Sequence, residues 1–223
     1  MGGCGKGGTL ALATFGGVIT SVVRGTLRTS LMSAAVTEQG NIALPATYQD
    51  VLDAPAHQVA QIIEGTLHMH PRPAPRHAVA GSGLGAHIGM PFGYGRGGPG
   101  GWWILDEPEL HLGEDVVVPD LAGWRRDRMP QVPAEAYFTL PPDWICEVLS
   151  PSTRTIDTGA KRSIYAREGV AHLWFVDPAT RTLEAFELRE GFWVLLDILT
   201  GESMVSLPPF EAVSFSLGDL WAD

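Results

Sequence analysis

A chain of 223 residues, of which 45% are hydrophobic, is long enough to bury one full core and does not require two domains. Its 25 acidic residues outnumber 15 lysines and arginines and give a net charge of −10. This balance disfavours a high-affinity non-specific DNA binder, because such affinity comes mainly from basic groups on phosphates. The two cysteines, Cys4 and Cys146, form no disulfide framework, so a reducing, cytoplasmic location is predicted.

The first part of the chain differs in composition from the remainder. No acidic residue precedes Glu38, and the mildly apolar stretch 10–23 is interrupted by Gly16 and Gly17. That stretch is too short and too weakly apolar to span a bilayer, so no membrane association is expected. We predict that residues 1–40 are a disordered leader or N-terminal extension and that residues 41–223 form a single domain.

In the first half of the domain, hydrophobic spacing and turn residues predict helices at 47–52 and 76–90. Strands are predicted on both sides of Glu64-Gly65 within 57–70, and at 102–105, 110–112 and 115–121. The second helix contains four glycines, Gly81, Gly83, Gly85 and Gly89. Because these glycines lie inside the helix and no P-loop lysine follows, close helix packing is favoured over a phosphate-binding loop.

In the second half, an exposed basic loop at 125–133 precedes a buried strand that ends near residue 149. A helix is predicted at 157–168, then strands at 173–176, 182–188 and 192–199, and a short strand with a turn within 213–221. Strands dominate, with helices early and in the middle. The predicted fold is therefore α/β, more closely α+β: one mixed β-sheet flanked by helices, with additional antiparallel strands.

Two carboxylates are candidates for chemistry. Asp120 follows three valines and a proline, and Glu147 stands alone in the apolar run from Trp144 to Leu149. Burying an unpaired carboxylate costs several kcal/mol, so Glu147 requires a partner. If the two strands are neighbours, both carboxylates converge, and a cation between them would offset their repulsion. Their hard oxygen atoms suit Mg²⁺ or Mn²⁺.

The predicted helix adds Asp157, Lys161 and Tyr165 at four-residue steps, so Lys161 can point towards the carboxylates. Such an ammonium would position a water or offset charge developing on a phosphate oxygen. Structural roles are open for the same residues. Asp120 could cap a turn, and Glu147 with Lys161 could form a buried ion pair without a metal. Asp157 is predicted to be the helix N-cap and Tyr165 a core aromatic.

The central motifs resemble one family. They are Ile62-Ile63-Glu64-Gly65, Pro75-Arg76-His77, Pro119-Asp120, the run Ile145-Cys146-Glu147-Val148-Leu149-Ser150-Pro151-Ser152-Thr153, then Asp157, Lys161, Tyr165, Gly169-Val170 and the run from His172 to Pro178. This pattern, spread over residues 45–220, resembles the Uma-type restriction endonuclease family of the PD-(D/E)xK nuclease superfamily.

The resemblance implies an endonuclease-like core around a mixed sheet. It implies metal ligands at Asp120 and Glu147 and a catalytic lysine at Lys161. Leu149 stands at the superfamily's usual lysine position, so the lysine comes from the following helix. Gln61 stands where relatives tend to have an acid, and Thr66 where a second acid is common. Gln61, Glu64, His77 and Asp157 are expected in supporting roles.

The predicted function is Mg²⁺- or Mn²⁺-dependent hydrolysis of DNA phosphodiester bonds. The alternative is a catalytically decayed member of the fold that binds nucleic acid or protein, which the acidic balance, Gln61 and Leu149 favour. A third interpretation is a structural ion pair without ligand, preferable only if Glu147 and Lys161 meet far from Asp120. A homodimer is expected by resemblance alone.

Overall fold

The computed structural model of the chain describes Met1 and residues 44–222. The predicted leader at 1–40 lies outside the described residues apart from Met1, so its disorder stays a prediction. By their contacts, residues 46–223 form a compact unit separate from residues 1–45, and the description below concerns the described part of that unit. Within the described residues, no helix combines the length and apolar character needed to cross a bilayer.

Twelve strands and four α-helices follow one another within residues 46–222. In chain order they are α1 (Tyr48–Leu52), β1 (Gln58–Ile63), β2 (Thr66–Pro71), α2 (Pro75–Ile88), β3 (Trp102–Asp106), β4 (Leu110–Leu112), β5 (Asp115–Val117), β6 (Leu121–Arg125), β7 (Trp144–Val148), α3 (Arg154–Ile156), α4 (Arg162–Arg167), β8 (His172–Asp177), β9 (Thr182–Arg189), β10 (Phe192–Thr200), β11 (Met204–Val205) and β12 (Phe215–Ser216). Two π-helical segments, Gly89–Gly93 and Asp157–Lys161, extend α2 and join α3 to α4, and a 3₁₀ turn spans Leu217–Leu220.

These strands form a mixed α+β architecture, as predicted. The larger sheet has the order β10-β9-β8-β7-β6-β3, and its single parallel pair is β7 with β8. A four-stranded antiparallel sheet has the order β2-β1-β5-β4, and β11 pairs with β12. The helical segment 154–167 supplies the crossover that a parallel β7–β8 pair needs.

Alternation along β7 distributes its side chains between two cores. Trp144, Cys146 and Val148 pack in one core with α2 and the C-terminal segment. Ile145 and Leu149 pack in the other core, with residues of α4 and the four-stranded sheet. Because side chains on a strand alternate with a period of two, Glu147 faces this second side, beneath the helical segment 154–167.

The region around Asp120 differs from the predicted strand 115–121. β5 ends at Val117, and β6, which the pattern did not predict, begins at Leu121. Pro119 explains the break, because proline lacks the N–H that a continuing ladder would need. Gly123 interrupts the pattern of apolar side chains that would otherwise predict a strand at β6. A Cβ there would lie 3.0 Å from Ile104 Cδ1 and 3.2 Å from Trp144 Cε3, so glycine permits close packing at this position.

Two local predictions are confirmed. Glu64 and Gly65 form the turn between β1 and β2, with φ of 51° and 75°. Close packing explains Gly83 and Gly85 of α2, where a Cβ would lie 3.2 Å from Leu220 Cδ2 and from Asp106 Oδ1 respectively. It does not explain Gly89, where an added Cβ would meet nothing within 4 Å.

Candidate active site

A cleft of about 230 Å³ opens where β2, the β5–β6 bend and the end of β7 approach the helical segment 154–167. Its lining brings together five of the predicted site residues, which are His77, Asp120, Glu147, Asp157 and Lys161. The remaining lining residues come chiefly from the stretch after β2 and from the Ser-Pro-Ser-Thr turn after β7, and are Val59, His70, Pro71, Arg72, Pro73, Ala74, Glu107, Val118, Ser150, Pro151, Ser152 and Thr153.

Glu147 and Lys161 form a buried ion pair at the base of this cleft. The Nζ atom of Lys161 lies 2.7 Å from Oε1 of Glu147, and both side chains are 2% exposed. Tyr165, one turn further along the helix, donates its hydroxyl to the same Oε1. Both contacts therefore engage one oxygen of the Glu147 carboxylate.

The Lys161 ammonium has three acceptors in the protein. Besides Glu147, Nζ lies 3.3 Å from Oδ1 of Asp157 and donates to the carbonyl oxygen of Val118 at 3.3 Å. Three oxygen atoms of the protein therefore lie within 3.3 Å of this ammonium. Lys161 is thus held as a fixed positive charge between helix, strand and bend.

Asp120 sits in the bend between β5 and β6 and is tied to β7 by its side chain. Its Oδ2 accepts a hydrogen bond from the backbone N–H of Val148 at 2.7 Å, and its Oδ1 lies 3.3 Å from Nε2 of His77. Because β6 pairs with β7, with Leu121 opposite Cys146, Asp120 and Glu147 enter the same cleft. The expected convergence of the two carboxylates occurs, but through β6.

Gln61 and Glu64 do not line the cleft. Gln61 is buried, accepts the backbone N–H of Val118 through Oε1 at 2.8 Å, and pairs with His70 through Nε2 at 3.1 Å. It therefore positions the Val118 backbone, whose carbonyl receives Lys161. Glu64 is exposed in the β1–β2 turn, and its backbone N–H donates to Asp115.

Asp157 is not the helix N-cap, contrary to prediction. The helical segment begins three residues earlier, at Arg154, and Asp157 opens its π-helical part. Its carboxylate is buried and faces Lys161. Ser150 and Pro151 form the turn that precedes the helix. The helix therefore begins before Asp157, the residue that capping preferences predict as the N-cap. π-helical turns are frequent at functional sites, and this one bears both buried charges of the segment.

Tyr165 was predicted to be a core aromatic without a part in the site, and the structure adds a polar role. Its ring is fully buried in the core beneath β7, yet its hydroxyl contacts Glu147. The available signal was the four-residue step from Lys161 to Tyr165, which places both on the helix face that covers Glu147.

Replacing Tyr165 by phenylalanine is expected to lower the free energy of unfolding by about 1–2 kcal/mol. The buried Glu147 oxygen loses a hydrogen-bond donor while the packing is kept. Urea denaturation measures the change. Tyr94→Phe, at an exposed tyrosine, serves as the control and should have no effect. Equal stabilities of both variants would contradict a stabilising Tyr165–Glu147 hydrogen bond.

The cluster contains three acidic groups and one ammonium, and their burial and proximity shift the pKa values of several of them. Burial raises the pKa of Glu147 to about 8, and the neighbouring Asp157 and Asp120 charges add to this, while Lys161 lowers it. Burial alone would lower the pKa of Lys161. The negative charges of Glu147 and Asp157 outweigh the effect of burial, so the pKa of Lys161 lies above its usual range. Burial by itself would lower the pKa of His77. The hydrogen bond to Asp120 and the negative charge of Asp120 outweigh burial, so the pKa of His77 is raised.

This charge balance has a chemical consequence. Asp120, Glu147 and Asp157 carry three acidic groups, against the single ammonium of Lys161 and a titratable His77. Positive charge entering the cleft, as a proton or a cation, would be favoured by the unbalanced carboxylates.

Comparisons with known proteins give the fold and the family of the chain. A solved structure described as a putative nuclease belonging to DUF820 from Anabaena variabilis shares the fold, with a TM-score of 0.64 and 22% sequence identity, covering 79% of this chain and 97% of that chain. No curated protein matches the sequence. The Uma2 family model, described as "Putative restriction endonuclease", matches residues 45–218, a span that contains β7, the cleft and the helical segment. The chain is therefore a member of the Uma2 family.

Proposed function

We propose that this protein is a divalent-metal-dependent endonuclease that hydrolyses phosphodiester bonds of DNA. The observation that carries the proposal is the convergence of Asp120, Glu147 and Lys161 in one cleft. Two acids can hold the metal ion, and a lysine can offset the charge that develops on a phosphate oxygen during such hydrolysis. The descriptions of the family as restriction endonucleases and of the structural relative as a nuclease support a nuclease activity.

The acidic side chains of the cleft are the candidate ligands for a divalent cation. Within residues 44–222, no group of three or more His, Cys, Asp or Glu residues is arranged to hold one. Mg²⁺, however, is commonly bound by one or two carboxylates, with waters and substrate phosphate completing its shell. Asp120 and Glu147 fit that mode, and a divalent cation would offset the repulsion among the acidic groups, which adds to the effect of burial in raising the pKa of Glu147. We therefore propose Mg²⁺ or Mn²⁺ with these two residues as ligands.

A divalent cation at this position supplies positive charge against the phosphate oxygens and a lower pKa for an attacking water. The protein's own groups would have separate tasks. Lys161 acts through its fixed charge, since it is buried and held by Glu147, Asp157 and the Val118 carbonyl. His77 and the Val148 N–H hold the Asp120 carboxylate in place, and Gln61 holds the Val118 backbone.

A second candidate is a binding module that has lost cleavage. The burial of Lys161 favours it, because this ammonium is already surrounded by three oxygen atoms of the protein. Leu149, at the superfamily's usual lysine position, is buried in the core and supplies no charge. The purely structural ion pair is disfavoured, because Asp120 lines the same cleft as Glu147 and Lys161.

The test is cleavage of supercoiled plasmid DNA with Mg²⁺, with Mn²⁺ and with EDTA. We expect cleavage by the wild-type protein with either metal and none with EDTA. Asp120→Asn should lower the rate at least about 100-fold, because one ligand charge is lost at the site of phosphate activation. The asparagine carbonyl can still accept the Val148 N–H, so the fold should survive, which a thermal melt checks.

Mn²⁺ titration calorimetry separates the two candidates. The nuclease proposal expects binding by the wild-type protein that weakens in Asp120→Asn. Cleavage that persists in Asp120→Asn would refute the assigned site. DNA binding without cleavage under any metal would favour the binding module. The cytoplasmic location and the homodimer remain predictions.

A further inference from the structure

An ion pair spans the mouth of the cleft. Nη1 of Arg72, in the stretch that follows β2, lies 3.4 Å from Oε2 of Glu107, in the turn after β3. Both residues line the cleft. The Arg72–Glu107 pair therefore connects the four-stranded sheet to the six-stranded sheet across the entrance.

The two partners differ in how firmly they are held. Glu107 is joined to the site by its backbone, since its N–H donates to the carbonyl oxygen of Asp120 at 3.0 Å. The Arg72 side chain is 59% exposed and that of Glu107 41% exposed. Exposed ion pairs contribute little to stability and are screened by salt, so this one can exchange partners readily.

A polyanion that enters this cleft meets mostly repulsive charge. The chain carries a net charge of −10, and Glu107, Asp120, Glu147 and Asp157 all line the cleft. Among the cleft-lining residues, the arginine and lysine side chains are those of Arg72 and Lys161, and Lys161 is buried against Glu147. Arg72, whose side chain is 59% exposed, is therefore the one of these two that an arriving phosphate can reach, and it is more exposed than His77, whose side chain is 13% exposed.

The turn after β7, which also lines the cleft, is polar but neutral. Ser150 Oγ lies 3.0 Å from Ser152 Oγ and 2.9 Å from Thr153 Oγ1. These hydroxyls can accept or donate hydrogen bonds to a phosphate or sugar, but they bring no charge. The charge that orients a nucleic-acid backbone at the mouth has to come from the Arg72 side.

We propose that Arg72 is a phosphate-positioning residue that exchanges Glu107 for a backbone phosphate of double-stranded DNA. In the free protein, Glu107 holds the guanidinium across the entrance. When DNA arrives, the guanidinium transfers to a phosphate oxygen and Glu107 returns to solvent. The fork of an arginine suits either partner, since carboxylate and phosphate both accept two N–H bonds. This inference rests on the proposed function for its substrate class, but it concerns binding and not cleavage.

The two partners should have opposite effects on DNA binding. Arg72→Ala should weaken binding about three- to tenfold at 0.1 M salt. It should also reduce the slope of log Kd against log salt concentration by about 1, as expected for the loss of one phosphate contact. Glu107→Gln should tighten binding about two- to fivefold, because it removes the competitor of the phosphate. A merely structural ion pair would instead change binding in the same direction in both variants.

The measurement is fluorescence anisotropy of a labelled 20-base-pair duplex of mixed sequence in EDTA, over a series of NaCl concentrations. Arg189→Ala is the matched control, since Arg189 is also 59% exposed and paired with a partly exposed acid, Glu187, but lies on β9 and does not line the cleft. It should bind like the wild-type protein.

The proposal is overturned if Arg72→Ala and Arg189→Ala behave alike, if Glu107→Gln weakens binding, or if the wild-type protein does not bind the duplex. Its failure is distinguishable from that of the nuclease proposal. Metal-dependent cleavage with an unaltered affinity of Arg72→Ala refutes the role of Arg72 alone. Binding that depends on Arg72 without any cleavage refutes the nuclease alone.

Discussion

Replacing Lys161 by methionine is expected to lower the free energy of unfolding by about 3–5 kcal/mol at pH 9 and to abolish cleavage. The ammonium is the shared partner of Glu147 and Asp157, and all three side chains are buried. Methionine retains most of the volume, so the loss comes from two buried carboxylates without a counter-charge. Urea denaturation at pH 9 and at pH 6 measures it.

The loss should be smaller at pH 6 than at pH 9. Burial already raises the pKa of Glu147 to about 8, and removal of the ammonium, which lowers that pKa, raises it further. At pH 6 the variant can therefore protonate Glu147 and escape part of the penalty. Since folded domains have only about 5–15 kcal/mol of stability, the effect should be easily measured.

Two comparisons make this prediction decisive. The double variant Lys161→Met/Glu147→Gln should recover part of the stability at pH 9, because it removes one of the unpaired charges. Arg189→Ala, which breaks an exposed ion pair, should cost less than about 1 kcal/mol. If Lys161→Met were no less stable than Arg189→Ala, the Lys161–Glu147–Asp157 cluster would not be a stabilising feature of the fold.

Replacing Glu147 by glutamine is expected to abolish metal-dependent cleavage and to flatten the dependence of stability on pH. The pKa of Glu147 is about 8 in the folded protein, compared with an ordinary value of 4.5. Between these values the native state holds a proton that the unfolded state has released. The stabilisation of the folded protein by this proton on Glu147 is complete below about pH 4.5 and is lost as pH rises through about 8.

The wild-type free energy of unfolding should therefore fall as pH rises from about 5 to 8, with a slope of up to about 1.4 kcal/mol per pH unit, and should level above about 9. In Glu147→Gln most of this slope should vanish. A weaker slope should remain above pH 6.5, because the pKa of His77 is also raised in the folded protein. Urea denaturation from pH 5 to 9.5 gives both curves, and parallel curves would contradict a protonated Glu147.

Much of the local structure was predictable because it depends on neighbouring residues. The Glu64-Gly65 turn needs positive φ at both positions, and proline and glycine mark the ends of α2. The anomaly of Glu147 in an apolar strand was visible from its immediate neighbours alone. Its proposed pairing with Lys161 followed from helix spacing, and the structure places their charged atoms 2.7 Å apart.

The errors arose where a weak local signal competed with packing. β6 was missed because Gly123 interrupts its pattern, although Ile104 and Trp144 leave room for no larger side chain. Asp157 was assigned to a helix cap from its neighbours, yet it faces a buried lysine. The hydroxyl of Tyr165 was not distinguishable from an ordinary core ring, because its acceptor lies 18 residues away on another element.

The mixed α+β class, the hairpin turn and the candidate acids and lysine follow from sequence alone, because hydrophobic periodicity and turn chemistry are properties of nearby residues. Three features emerge only from the folded chain: Asp120 reaches the cleft of Glu147 through β6, Lys161 lies among three oxygen atoms, and Arg72 pairs with Glu107. Each of these contacts joins residues far apart in the chain. Their distances depend on strand order and on how the two sheets pack, which no local pattern encodes.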